Sequence, residues 1–275
     1  MKTSPIHLFD ILSTLPTPHN SWSVHTLKIR CILNLKKIPY TQSFISYPDI
    51  KPLLTSLNIA PNKSGIPYTL PAIIHKDSSF PSTSNEIGAL SDSLPIALHL
   101  DEHFPDPPLF PSGEEGRSYA LFRDVERITG AMEKGYRPFI VPRVAENLDP
   151  RGRAYFEETR AAALGMVLAR VRPDPRDTER IDELWAIIES EALALIGMLR
   201  RGRGASAFFE GARIGFADIL VACHMAFIGR FDEELFARIV ALGDGELGDL
   251  YAACVPLLEG QGENRRYGVE GVVEH

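Results

Sequence analysis

From Pro105 to Gly113 the chain reads Pro-Asp-Pro-Pro-Leu-Phe-Pro-Ser-Gly, a stretch across which neither a helix nor a central strand can run. Each proline lacks a backbone donor and pushes the residue before it out of the helical region. A chain of 275 residues broken at this point is expected to fold as two domains. Composition changes at the same place. Up to position 112 seven of the eight basic residues are lysine, with Arg30 the exception; beyond it Lys134 stands against twenty arginines. Serine and proline are dense before the break, alanine and glycine after it. The expected division is a domain over 1–104, a linker over 105–116 and a second domain over 117–275.

The first part alternates strand and helix signals. Ile6 to Phe9, Tyr40 to Ser46 and Leu70 to Ile74 read as strands, with Ile87 to Leu90 a weaker fourth. Over Thr26–Leu35, Leu27, Cys31 and Leu35 recur at helical spacing, with Lys28 and Arg30 off that face. Leu94 to His103 is a second helical run. The order β-α-β, a proline turn, β and a closing helix predicts a compact α/β unit of the thioredoxin-like type. The second part carries helical apolar spacing over Arg117–Lys134, Arg151–Val171, Asp177–Arg201, Phe216–Ile228 and Glu233–Leu242. Prolines and the Arg201-Gly202-Arg203-Gly204 stretch punctuate it. An all-α helical bundle without strands is expected there.

Bulk properties exclude several classes. The net charge is −7 and falls entirely on the second part, which argues against a nucleic-acid binder. No apolar stretch reaches the roughly 18 residues of a membrane span, and Met1-Lys2-Thr3-Ser4-Pro5 shows no secretory signal. Cys31, Cys223 and Cys254 are an odd number at wide spacing, which fits reduced core thiols of a cytoplasmic enzyme. No Cys or His pair has metal-ligand spacing, so no metal is expected. Arg200-Arg201-Gly202-Arg203-Gly204 follows a helix rather than a strand and does not read as a phosphate loop.

Three short stretches of the first part can carry chemistry. Ser23, after Ser21-Trp22, precedes a helix whose first N–H groups and positive dipole end favour an anion. Its hydroxyl either caps that helix or donates to a thiolate and lowers the thiol's pKa. Leu70-Pro71 is either a trans proline at a strand start or a cis bond that leaves the Leu70 N–H and C=O free for an extended peptide. Asp92-Ser93 either caps the next helix or takes up the ammonium and carboxylate of a free α-amino acid end. His25 either approaches the thiol as a base or faces solvent. Met132, Tyr136 and Phe139 either line an apolar pocket or belong to the core.

These stretches come with Ile6-His7-Leu8-Phe9-Asp10, Tyr47-Pro48-Asp49-Ile50, Tyr68-Thr69-Leu70-Pro71-Ala72 and Leu100-Asp101-Glu102-His103-Phe104-Pro105. In that order they resemble the glutathione S-transferase superfamily over most of the chain. The Tyr-Pro-Asp-Ile segment and the tryptophan beside the serine are similar to the fungal A class, related to bacterial β-etherases. Ala154-Tyr155-Phe156-Glu157-Glu158-Thr159-Arg160 looks like the same subgroup.

The resemblance implies a transferase that uses glutathione as cosubstrate or cofactor. Ser23 would activate the thiol, with His25 beside it. Ser21, Trp22, Thr69, Leu70, Pro71, Asp92 and Ser93 would bind glutathione. Met132, Tyr136 and Phe139 would hold a small apolar, aromatic electrophile at the domain interface. A cytoplasmic homodimer serving secondary metabolism also follows from the resemblance. The chain departs from the family pattern at Val24 and His25, where proline and asparagine are frequent, and in a longer, more polar segment over 76–89. It also has glycine in place of serine or threonine in the capping box Gly215-Phe216-Ala217-Asp218. Four outcomes stay open at this level. They are conjugation, isomerisation with glutathione returned unchanged, reductive ether cleavage, and carriage of an aromatic ligand without turnover.

Overall fold

The computed structural model describes residues 6–76, 85–112, 116–202 and 206–268. Most of the polar segment 76–89 lies outside the described residues, as do Arg203 and Gly204. Two compact units are present: Met1–Pro107 with Asn147–Phe156 and Glu259–His275, and Pro108–Glu146 with Glu157–Leu258. The break after Pro107 falls inside the expected linker. The expected second domain over 117–275 needs correction, because two of its segments fold with the first unit.

In the first unit, β1 (Ile6–Ile11), α1 (Val24–Leu35) and β2 (Tyr40–Ile45) form a parallel βαβ unit. A short helix, α2 (Ile50–Ser56), follows, then β3 (Ala72–His75), β4 (Ala89–Ser91) and α3 (Ser93–His103). β3 pairs antiparallel with β1 and with β4. A two-residue strand from the chain's last part, Glu263–Asn264, pairs parallel with β2, so the sheet order ends β1-β2-Glu263/Asn264. This return strand was not expected, and it explains why residues from 259 onward belong to this unit.

Segment 147–156 is tied in by charge and by aromatic packing. Arg151 holds Asp49 through two bonds of 2.9 and 2.8 Å, and Ser46 donates to Asp149. Phe156 packs on Tyr47 at 5.2 Å between ring centroids. The Tyr47-Pro48-Asp49-Ile50 motif is thus an anchor for that segment. In α1, Leu27 and Cys31 are buried as expected, but Lys28 and Arg30 are 6% and 0% exposed rather than solvent-facing. Burial of Arg30 is possible because Asp10, itself fully buried, lies 3.1 Å from its guanidinium.

The second unit is helical. Its elements are α4 (Arg117–Glu146), the later part of α5 (Pro150–Leu164), α6 (Thr178–Gly202), α7 (Phe216–Phe231), α8 (Glu233–Val240) and α9 (Glu246–Glu259), with α4 packed on α6 and α7. The spacing predicts an end to α4 at Lys134, yet the helix runs on through Pro138 and Pro142. Each proline costs about 3 kcal/mol in a helix interior. Met132, Tyr136, Ile140 and Val144, at steps of four, are all at most 2% exposed, and burying such side chains returns about 1.5–3 kcal/mol each. Packing therefore outweighs the prolines. Among the described residues no helix is long and apolar enough to cross a membrane.

The capping box at α7 is completed in an unexpected way. Asp218 accepts the Gly215 N–H (2.8 Å), and its other oxygen accepts the Phe209 N–H (2.9 Å), which supplies a second bond where the glycine has no side chain. Burial pushes the Asp218 carboxyl up to about 7 from its ordinary 3.8, against the pull of those two N–H groups. A raised carboxyl binds a proton in the folded state that the unfolded chain releases. Its contribution is therefore largest below pH 4 and is lost as pH rises to 7. The unfolding free energy of wild type minus that of Asp218→Asn is expected to fall between those limits by up to about 1.4 kcal/mol per pH unit. Denaturant titrations at pH 4, 5.5 and 7 check this; a flat difference would contradict it.

Candidate functional site

Strand register decides where the candidate residues meet. Phe9 pairs with Ala72, and Ala72 with Ser91. The end of β1, the start of β3 and the end of β4 therefore share one end of the sheet. Ser23 opens α1, which begins at that end because it carries the chain back to the parallel strand β2. Leu70-Pro71, a cis peptide bond, leads into β3. Asp92-Ser93 joins β4 to α3, and the Asp92 N–H donates to the Pro71 carbonyl at 3.3 Å. Ligands of open α/β sheets gather at such ends.

Among the described residues, Ser23, Leu70, Asp92 and Ser93 each hold a polar group that the fold does not use. Ser23 is 7% exposed; its carbonyl accepts from Leu27 N–H and Thr26 Oγ1–H, but its hydroxyl makes no capping bond. Among the described residues no hydrogen bond satisfies the Leu70 N–H or C=O. The Ser93 side chain, 4% exposed, is likewise without a partner among the described residues. Asp92 is exposed, makes no side-chain cap bond, and has φ 75° and ψ 134°, a backbone region costly for any residue but glycine. Two helix starts with idle serine hydroxyls favour anions, and Asp92 favours a cation. The arrangement suits an extended peptide with an acidic thiol and a free α-amino acid end.

The remaining candidates fall elsewhere. Ser21 is fully buried and donates to Asp10 Oδ2 at 2.5 Å, so its hydroxyl is committed to the core and is not available to a ligand. Trp22 is 5% exposed beside it. The Thr69 hydroxyl accepts from Asn62 Nδ2 at 3.2 Å and helps order the loop before β3. His25 is exposed on the first turn of α1. Met132 and Tyr136 have no exposed surface, and Tyr136 Oη lies 2.6 Å from His224 Nδ1; burial pushes that phenol well above its ordinary pKa. Both are core residues, which corrects their reading as pocket lining, whereas Phe139 is half-buried. Asp10 and Arg30, which support the loop carrying Ser23, were missed. The available signal was that Arg30 is the lone arginine among the first 112 residues.

Comparison with known proteins points one way. Residues 120–257 match the family model described as the C-terminal domain of glutathione S-transferase. The chain is 46% identical over 274 residues to the glutathione S-transferase-like protein ustS of Aspergillus flavus, covering 98% of this chain and 96% of that one. It is similar to the solved glutathione S-transferase CsGST63524 of Ceriporiopsis subvermispora in complex with glutathione. Identity there is 25%, coverage 92% of this chain and 97% of that one, and TM-score 0.77. CsGST83044 of the same fungus, also in complex with glutathione, gives 26% identity, coverage of 92% and 98%, and TM-score 0.73.

Proposed function

The chain belongs to the glutathione S-transferase family, and from that premise we propose that it binds reduced glutathione across the end of its sheet and favours the thiolate through Ser23. The observation that carries this reading is the set of unused polar groups gathered there: the Ser23 and Ser93 hydroxyls, the Leu70 backbone and the Asp92 carboxylate. Bound there, glutathione supplies a thiol nucleophile. The Leu70 N–H and C=O would pair with its peptide backbone. Ser93 and the first N–H groups of α3 would hold its α-carboxylate, and Asp92 its α-ammonium. The Ser23 hydroxyl and the start of α1 would donate to sulfur, which lowers the thiol pKa.

The second partner in this reading is an apolar, aromatic electrophile: the thiolate forms a C–S bond to it and its leaving group, a halide in the assay substrate, departs with the electrons of the broken bond. Holding both partners together supplies orientation as well as a better nucleophile. His25, exposed on the first turn of α1, is assigned no proton transfer; the thiol's proton passes to solvent and the Ser23 hydroxyl stabilises the thiolate left behind.

Ser23→Ala is expected to lower the rate of conjugation to an activated aryl halide about tenfold, the loss that follows from raising the thiol pKa by about one unit. Glutathione affinity measured near pH 6 should change by less than about threefold, since the bound sulfur is then mostly the neutral thiol, whose hydrogen bond contributes little net binding. Mass spectrometry of the product distinguishes a conjugate from an isomer, from oxidised glutathione and from unchanged ligand. An unaltered rate in the variant would remove Ser23 from the chemistry.

A further inference from the structure

After α9 the chain turns back into the first unit and reaches the loop that ends at Ser23. The Gly260 carbonyl accepts from Asn34 Nδ2 (3.1 Å), Tyr40 Oη (3.2 Å) and Arg30 Nη1 (3.3 Å). Gln261 Oε1 accepts from Arg30 Nη1 and from Gln42 Nε2, both at 3.1 Å, while its Nε2 donates to the Pro18 carbonyl at 3.4 Å. Gly262 N–H donates to Gln42 Oε1 at 3.3 Å. At the surface Glu259 lies 3.8 Å from His19.

From the other side of its guanidinium, Arg30 donates to Asp10, whose carboxylate also takes the Ser21 hydroxyl and the Ile11 N–H. The loop over 12–23 is thereby held at Pro18, His19 and Ser21, two residues short of Ser23. Close approach requires glycine at 262, while at 260 a side chain would have to displace the Asn34 amide. A Cβ at Gly260 would stand 2.5 Å from Asn34 Nδ2, and one at Gly262 would stand 2.5 Å from the Tyr40 ring and 2.7 Å from its carbonyl.

Over residues 259–266 this segment adds little apolar burial; beyond them Tyr267 packs edge-on against Phe9 at 4.9 Å between ring centroids. Glu263, Asn264, Arg265 and Arg266 are exposed, and the bonds of residues 259–262 go to the Ser23 loop, Arg30 and their neighbours on α1 and β2. We propose that Gly260-Gln261-Gly262 is a clasp that positions Ser23, acting through Arg30, Asp10 and Ser21. The inference rests on the reading of Ser23 as the thiol's hydrogen-bond donor. A displaced hydroxyl weakens the thiolate without touching Leu70, Asp92 or Ser93, which stand on other elements. Clasp variants should therefore alter thiol ionisation and kcat but not the hold on glutathione.

The test compares wild type, Gln261→Ala, Gly262→Ala and Gln261→Glu by thiolate absorbance against pH with saturating glutathione, and by steady-state kinetics with an activated aryl halide. Gln261→Ala and Gly262→Ala are expected to raise the bound thiol's pKa and lower kcat about three- to fivefold, with KM for glutathione within about twofold. Gln261→Glu keeps the acceptor for Arg30 but loses the donor to the Pro18 carbonyl, so it should restore only the part of the loss that acts through Arg30. Gln261 is half-buried, so its alanine variant keeps the test open if Gly262→Ala does not fold. Variants that lose thermal stability but keep the wild-type thiol pKa and kcat would overturn the clasp alone. A wild type that leaves the thiol at its free value would overturn the reading of Ser23 and the clasp with it.

Discussion

Replacing Arg30 by methionine is expected to destabilise the first unit by about 3–5 kcal/mol, the cost of removing one partner from a fully buried ion pair. Arg30 and Asp10 are both 0% exposed and 3.1 Å apart. Methionine fills much of the volume, so the loss is chiefly electrostatic. It leaves a carboxylate out of water with, among the described residues, the Ser21 hydroxyl and the Ile11 N–H as its remaining donors. Tyr40, Gln42, Gly260 and Gln261 lose their shared donor as well. A change of this size lowers Tm by about 10 °C or more. Trp22 fluorescence in a Trp185→Phe background reports this unit during denaturant unfolding. Adding Asp10→Asn to Arg30→Met should recover much of the loss, because a neutral pair needs no counter-charge. If the single variant lost less than about 1 kcal/mol, or the second substitution recovered nothing, the buried charge would not be what holds the loop.

Removing the Asp92 carboxylate is expected to weaken glutathione binding roughly 10- to 100-fold, the range set by a hydrogen bond to a charged group. Stability separates this loss from a folding defect. With φ 75° and ψ 134°, Asp92 sits where a side chain costs about 1–3 kcal/mol. Asp92→Gly relieves that strain, offset in part by the greater freedom of glycine in the unfolded chain, so its stability should equal or exceed wild type by up to about 1 kcal/mol. Asp92→Ala keeps the strain and gains nothing. Both variants should lose affinity alike by calorimetry while differing in Tm. Two variants that bind as wild type does would remove Asp92 from the site, and the strained backbone would need another cause.

Much of this was legible in the sequence because it depends on local pattern. Alternation and helical spacing located β1, α1, β2 and α3 to within a few residues. The helix-start serines and the X-Pro step singled out Ser23, Leu70-Pro71 and Asp92-Ser93, which strand register brings to one end of the sheet. What local pattern cannot show is which hydroxyl the fold itself consumes. Ser21 and Ser23 look alike two positions apart, yet Asp10 takes the first and leaves the second. Arg30 reads as a solvated residue on a helix until Asp10 and a segment some 230 positions away cover it. The return of residues 259–264 has the same character, since a two-residue strand carries no period to read. Pro138 and Pro142 mislead for another reason: a buried stripe at steps of four outweighs a breaker that propensity alone would obey.

The most direct test of the proposed chemistry is the pH dependence of thiolate absorbance for reduced glutathione bound to the wild-type protein, at a saturation fixed by calorimetry. The bound thiol is expected to titrate at least about one unit below the roughly 8.5 of an ordinary thiol, and Ser23→Ala to return it most of the way. A saturated wild-type complex whose thiol titrates at the free value would contradict thiol activation at Ser23.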